Sequence, residues 1–272
     1  MKTTIDHKIT SSFLEWFEYT LLEKGQAYKN IETELYPMQD ARINGMDTYS
    51  APCYQWVHDQ CISGAWVPTA EGLGVPHLDY RNGRTIGGAP SGPVQYAIKD
   101  FNIYLTTLPE ERLVLEDRPN FRANPRYVEP KGLEADQIIA PCIFLRPKMR
   151  KSEPLCLGGL NSQIYNFDAI IFSDDEWSLH GVGSLFLEQK DRVFPFFDET
   201  PLNYFNDYKT GGYCYEHQCQ AYNSPERHLW LKNVSFSVIE NDKFNENIPR
   251  SFLGKLYFEI IHNRMNNNTF ND

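Results

Sequence analysis

The chain has 272 residues and 31.6 kDa, of which 41% are hydrophobic, 23% charged and 14% aromatic, enough apolar material to build a core without disulfide or metal staples. With 26 Lys and Arg against 36 Asp and Glu, the net charge is −10. A surface of that sign repels phosphate backbones and anionic lipid, so neither a specific nucleic-acid reader nor a membrane-bound protein is expected.

From Met1 to Lys8 there is no apolar core of signal-peptide length. No later run approaches the ~18 apolar residues of a membrane span. Synthesis in the cytoplasm is expected, with Cys53, Cys61, Cys142, Cys156, Cys214 and Cys219 as reduced, buried thiols rather than a disulfide framework.

Ser12-Phe13-Leu14-Glu15 fits a capping box, and Phe13, Phe17 and Leu21 with Leu14 and Leu22 recur at helical spacing until Gly25. An amphipathic helix over about 12–24 follows, with Phe13, Phe17 and Leu21 facing the core. Beyond Pro37, and above all from Asn44 to Gly92, the chain is dense in Gly, Pro, Asn and small polar residues. That stretch reads as a loop- and hairpin-rich insertion. Within it Asn82-Gly83 between short alternating runs predicts a hairpin with strands near 77–80 and 84–87.

Between Tyr96 and Thr106 the apolar positions alternate in two phases, Tyr96 and Ile98, then Phe101, Ile103 and Leu105. A bulge near Lys99-Asp100 would reconcile them within one strand. Further strands are expected over 112–115, 138–145, 168–172, 229–238 and 252–261, rich in β-branched and aromatic residues. Asp175-Glu176-Trp177 starts a second helix carrying Val182, Leu185, Phe186 and Gln189, although Gly181 and Gly183 each cost it about 1 kcal/mol. The fold class expected is α+β: one domain over 1–272, a mainly antiparallel sheet with both helices on one face, and the insertion at about 44–92.

Candidate sites fall short of chemistry. Cys214, His217 and Cys219 offer zinc-like donors within six residues, but a structural zinc needs four ligands and no second pair stands out. His58-Asp59 beside Cys61 suggests a thiolate and its base, yet no nucleophile signature surrounds these residues. Asp174-Asp175-Glu176 and Asp198-Glu199 could supply a glycosidase pair, but Asp174 and Asp175 stand where a helix cap is expected. The run from Gly87 to Pro93 lacks the Lys-Ser/Thr ending of a phosphate loop and reads as a turn, as do Gly158-Gly159 and Gly211-Gly212. The expectation is therefore no enzyme, no catalytic residue, no cofactor and no metal.

The run from Ser50 to Asp59, continued by Ile62 to Pro68, resembles a run in virion structural proteins of contractile-tailed marine phages, the cyanophages among them. So do Leu78 to Arg84 and Ala97 to Tyr104, and Pro201-Leu202-Asn203-Tyr204-Phe205 is similar in kind, all in the same order along the chain. Two features depart from that pattern: His58 stands where an aromatic residue is expected, and Cys53 and Cys61 are peculiar to this chain. The resemblance implies a bacteriophage particle component assembled in the host cytoplasm and resident in the virion.

The elements suit a neck or tail-completion ring, a tail terminator or head-tail connector, on fold-level analogy. Partners would be copies of itself in a homo-oligomeric ring and neighbouring proteins of the neck, tail tube or sheath. Long loops bearing aromatics and few charges suit interfaces, which makes Tyr49, Tyr54, Trp56 and Trp66 the expected protein-interface residues. The alternatives are a receptor- or carbohydrate-binding module of a tail tip or fibre, suggested by Trp56, Trp66 and Trp230, and a glycoside hydrolase.

Overall fold

A computed structural model of the chain describes residues 5–33, 36–43, 46–50, 77–79, 84–88, 92–106, 141–154, 161–197, 228–239 and 252–264. In chain order it contains α1 (Ile5–Tyr19), a π-helical turn (Thr20–Lys24), β1 (Tyr28–Thr33), β2 (Tyr36–Ile43), β3 (Met46–Ser50), β4 (His77–Asp79), β5 (Arg84–Ile86), β6 (Val94–Lys99) and β7 (Asn102–Leu105). There follow β8 (Cys142–Pro154), β9 (Asn161–Ser173), α2 (Glu176–Leu187), β10 (Val193–Pro195), β11 (His228–Val238) and β12 (Phe252–Arg264). The fold is α+β with strands predominating.

The first helix starts at Ile5, earlier than the Ser12 capping box predicts. Ser12 lies inside it, its Oγ donating to the carbonyl of Lys8 at 2.8 Å and accepting the backbone N–H of Phe197 at 2.9 Å. Ser11 likewise turns back onto His7. Bonds of this kind let a serine sit within a helix without leaving its hydroxyl unsatisfied. Ile5 and Ile9, four residues apart, extend the apolar stripe backward from Phe13, and that stripe starts the helix.

Phe13, Phe17 and Leu21 are buried to 1% exposure or less, as expected. The polar side is buried as well: Ser11, Ser12, Glu15 and Glu18 are all shielded from water. The helix is thus encased rather than laid on a surface. Below it stands the six-stranded sheet. Against its other side packs the antiparallel β1–β6 pair, where Leu22 meets Ala97 and Tyr28, and Lys99 reaches Glu18 at 3.0 Å.

The six strands run in the order β10-β11-β12-β9-β8-β7, antiparallel except for the parallel β7–β8 pair. Side chains alternate across them. Tyr165, Phe167, Ala169 and Ile171 of β9, with Leu256, Phe258 and Ile260 of β12, face the two helices in one core. Aromatic stacks fill it: Phe13 on Phe167 with centroids 4.3 Å apart, Phe17 on Phe186 at 4.2 Å and Trp16 on Phe194 at 4.7 Å. On the opposite face Cys142, Phe144, Ile170, Phe172 and Leu253 form a smaller buried cluster. Pro147 coincides with a register shift in β8, the kind of irregularity that a residue without an N–H favours.

The second helix forms where Asp175 predicts it. The Asp175 carboxylate accepts the N–H of Ser178 at 3.0 Å, and Leu179, Val182 and Phe186 are buried. The two phases at 96–106 belong to different sheets rather than to one bulged strand. β6 pairs with β1 and β7 with β8, while the N–H of Asp100 between them donates to the carbonyl of Ala27 at 2.9 Å. Leu105, expected inside, is 45% exposed at the end of β7. The strands expected near 77–80 and 84–87 are present as β4 and β5, paired antiparallel with Leu78 opposite Thr85 inside a four-stranded sheet of order β2-β3-β5-β4, while the Asn82-Gly83 turn lies outside the described residues. The expected strand at 112–115 lies outside the described residues.

Candidate functional site

Where α1 ends, its ladder widens: the N–H of Gly25 donates to the carbonyl of Thr20, five residues back, at 3.2 Å. Such π-helical turns often adjoin functional sites. A side chain at Gly25 would not fit, since a Cβ there would lie 2.5 Å from the Leu21 carbonyl oxygen and 2.8 Å from Leu185. The turn is completed by Gln26, which adopts φ 48°.

This widened turn, the β6–β7 corner and the exposed side of α2 enclose a cleft of about 420 Å³. Lys24, Asp100, Trp177, Gly181, Leu185 and Glu188 are among the residues that line it. Trp177 is 87% exposed at its rim. The Asp100 carboxyl is pushed above the usual carboxylate range chiefly by burial; Lys29 opposes the shift and Asp174 adds to it. Lys24 is held below the ordinary lysine value by burial and by nearby Arg192, and its Nζ donates to Gln189 Oε1 at 2.6 Å. The cleft therefore joins an aromatic face to carboxylates and an ammonium group, a set suited to binding polar or mixed ligands.

Glycine at 181 also belongs to this geometry. A Cβ there would meet nothing within 4 Å, so no packing requires the residue. Its sequence signal was a helix-weakening glycine without a structural purpose. The signal at Asp100 was the phase break at Lys99-Asp100, which marks the corner where the chain changes sheets.

Among the expected interface residues, Tyr49 lies on β3 opposite Pro37 and Thr85 and is half-buried. Tyr54, Trp56 and Trp66 lie outside the described residues, as do His58, Cys61, Asp198, Glu199, Cys214, His217 and Cys219. Asp174, Asp175 and Glu176 are exposed at the start of α2, with Asp175 serving as its cap. Gly87 and Gly92 have φ of 93° and 110°, and the Thr85 hydroxyl donates to the Gly88 carbonyl, while positions 89–91 of the expected turn lie outside the described residues. Cys142 is a free buried thiol, its pKa raised by burial. Among the described residues no three His, Cys, Asp or Glu side chains converge as metal ligands, and no helix is long and apolar enough to cross a membrane.

The comparisons with known proteins give no relative: no protein-family model matches the chain, and no curated protein matches it.

Proposed function

We propose that the chain is a structural subunit of a tailed-phage particle, in a neck or tail-completion ring. The observation that carries this reading is the ordered resemblance of the runs at 50–68, 78–84 and 97–104 to virion structural proteins. The fold is compatible with it. A helix encased by two sheets and locked by aromatic stacks makes a stiff body, and large apolar side chains remain outside that body at Trp177, Val193 and Trp230. Exposed aromatics on a rigid frame are what interfaces are built from. Mass spectrometry of purified virions tests the reading: the chain is expected at stoichiometric level, and its absence refutes the assignment.

A second reading draws on the cleft. Trp177, Asp100 and Glu188 line one cleft, Glu188 about 16 Å along α2 from Trp177 at ~1.5 Å per residue, so a stacking face shares the cleft with carboxylates, as in modules that bind carbohydrate. A glycan array with the wild-type chain and Trp177→Ala separates the two readings, because selective binding lost in the variant favours the module. The same carboxylates give the glycoside hydrolase alternative its test, since turnover of host envelope polysaccharide would have to disappear in Asp100→Asn or Glu188→Gln.

A further inference from the structure

The face of the six-stranded sheet turned away from the helices departs in charge from the rest of the chain. It presents Arg146, Lys148 and Lys151 of β8, Lys232 of β11 and Lys255 of β12, against Glu153, Asp168 and Glu259. Asp168 is wholly buried between Lys148 and Lys255 and pairs with both, so the exposed groups of this face are mainly lysine and arginine. The chain as a whole has a net charge of −10.

An apolar row crosses the same face at one end. Val193, Trp230, Ile261 and Ile164 lie side by side on four neighbouring strands, with Val193 61% and Trp230 38% exposed. Lys151 extends the row on β8, and Lys232 stands beside it, held by Glu259 at 2.7 Å. A partner suited to this surface carries an aromatic group flanked by carboxylates.

The chain itself carries one. Trp177, 87% exposed, follows directly on Asp174, Asp175 and Glu176, all exposed. This knob cannot reach the row of its own copy. It projects from the helix-bearing side of the sheet, just beyond Ser173, whereas Ile164 lies on the other face about 30 Å back along β9 at ~3.3 Å per residue. Patches on opposite faces and at opposite ends meet only between copies, and they meet head to tail.

We infer that the outer face of the six-stranded sheet is a docking surface for a second copy of this chain, which seats its acidic Trp177 knob on the Trp230 row among Lys151 and Lys232. The identity of the occupant rests on the reading of the chain as a self-assembling particle subunit. Charge complementarity sets register and orientation, and apolar contact between Trp177 and the row supplies the attraction.

The test is a charge swap on the full chain, read by sedimentation equilibrium. Lys151→Glu with Lys232→Glu, and separately Asp174→Lys with Glu176→Lys, are each expected to weaken self-association roughly tenfold or more. Equimolar mixing of the two variants is expected to restore it, because each then meets a complementary surface. Trp177→Ala is expected to weaken association with the thermal midpoint unchanged. Raised salt should act in the same direction as the reversals.

A wild-type chain that stays monomeric at its highest soluble concentration, or a mixture that does not recover, overturns the inference. So does loss of duplex-DNA binding in the lysine variants alongside a monomeric wild type, which would give the face to nucleic acid. None of these outcomes touches the particle reading, which fails only if virions lack the chain.

Discussion

Gly183 of α2 lies against the ring of Phe236 on β11: a Cβ on the glycine would come within 2.7 Å of two ring carbons. Gly254 of β12 makes the matching approach, since a Cβ there would lie 2.6 Å from Leu179 and 2.9 Å from Phe236. Two glycines thus let α2 sink onto the sheet. On the open side a Cβ at Gly181, half a turn away, would meet nothing within 4 Å.

The two helical glycines should therefore respond oppositely to alanine. Gly181→Ala gains helix propensity and is expected to stabilise the fold by about 0.5–1 kcal/mol. Gly183→Ala gains the same propensity but must displace Phe236, and a net loss of about 1–3 kcal/mol is expected from overpacking. Urea unfolding of both variants checks this. Equal signs would mean that α2 is not seated as described.

Phe17 is fully buried and stacks on Phe186 at 4.2 Å with 11° between the rings. Its partner belongs to α2, so this stack joins the two helices over the sheet. Phe17→Ala is expected to cost about 3–5 kcal/mol, measured by chemical denaturation. A cost below about 1 kcal/mol would place this side of α1 outside the core.

Asp100 gives the cleft a pH signature. Its folded pKa is raised, chiefly by burial, so ionising it costs stability. The sign follows: the carboxyl favours the fold below its unfolded value, near 3.8, and that advantage is lost as pH rises through the folded pKa. Asp100→Asn is then expected to raise the thermal midpoint at neutral pH and to lose that advantage in acid. A midpoint lowered at pH 7 would show that the ionised carboxylate is stabilising.

Local signals in the sequence were read correctly where one layer of structure decides the outcome. The Asp175 cap, the paired strands at 77–79 and 84–86 and the strands carrying Ile170, Phe258 and Leu231 follow from caps, turn residues and two-residue alternation. The reading failed where packing on a second side decides. Ser12 and Glu15 look like a capping box in isolation, but both are buried, Ser12 against the backbone of Phe197 far along the chain, which turns an apparently solvated stripe into interior. Likewise no periodicity at 96–106 reveals that β6 and β7 pair with strands about 70 and 40 residues away in opposite directions along the chain. The cleft was illegible for the same reason, since Lys24, Asp100 and Trp177 meet only through that tertiary arrangement.

The ion pair of Lys99 with Glu18 holds the small β1–β6 sheet against α1, and it lies where water barely reaches: the side chains are 2% and 10% exposed, with Nζ 3.0 Å from Oε2. Bringing two charges into such a site costs several kcal/mol per ion before their attraction is counted, so the pair as a whole contributes little net stability. Removing one member is a different matter, because the remaining charge stays desolvated and loses the Lys99–Glu18 bond. Lys99→Met leaves the Glu18 carboxylate in that position and is expected to cost about 3–5 kcal/mol. Glu18→Leu strands the ammonium group at a similar cost. The double variant removes both charges and replaces them with apolar side chains in a buried position. It is expected to recover most of the loss, so that the two substitutions are strongly non-additive in a double-mutant cycle. Denaturant unfolding of the four proteins measures that coupling directly. If the single losses simply add, Lys99 and Glu18 do not depend on one another, and β6 must be held against the helix by its apolar contacts alone.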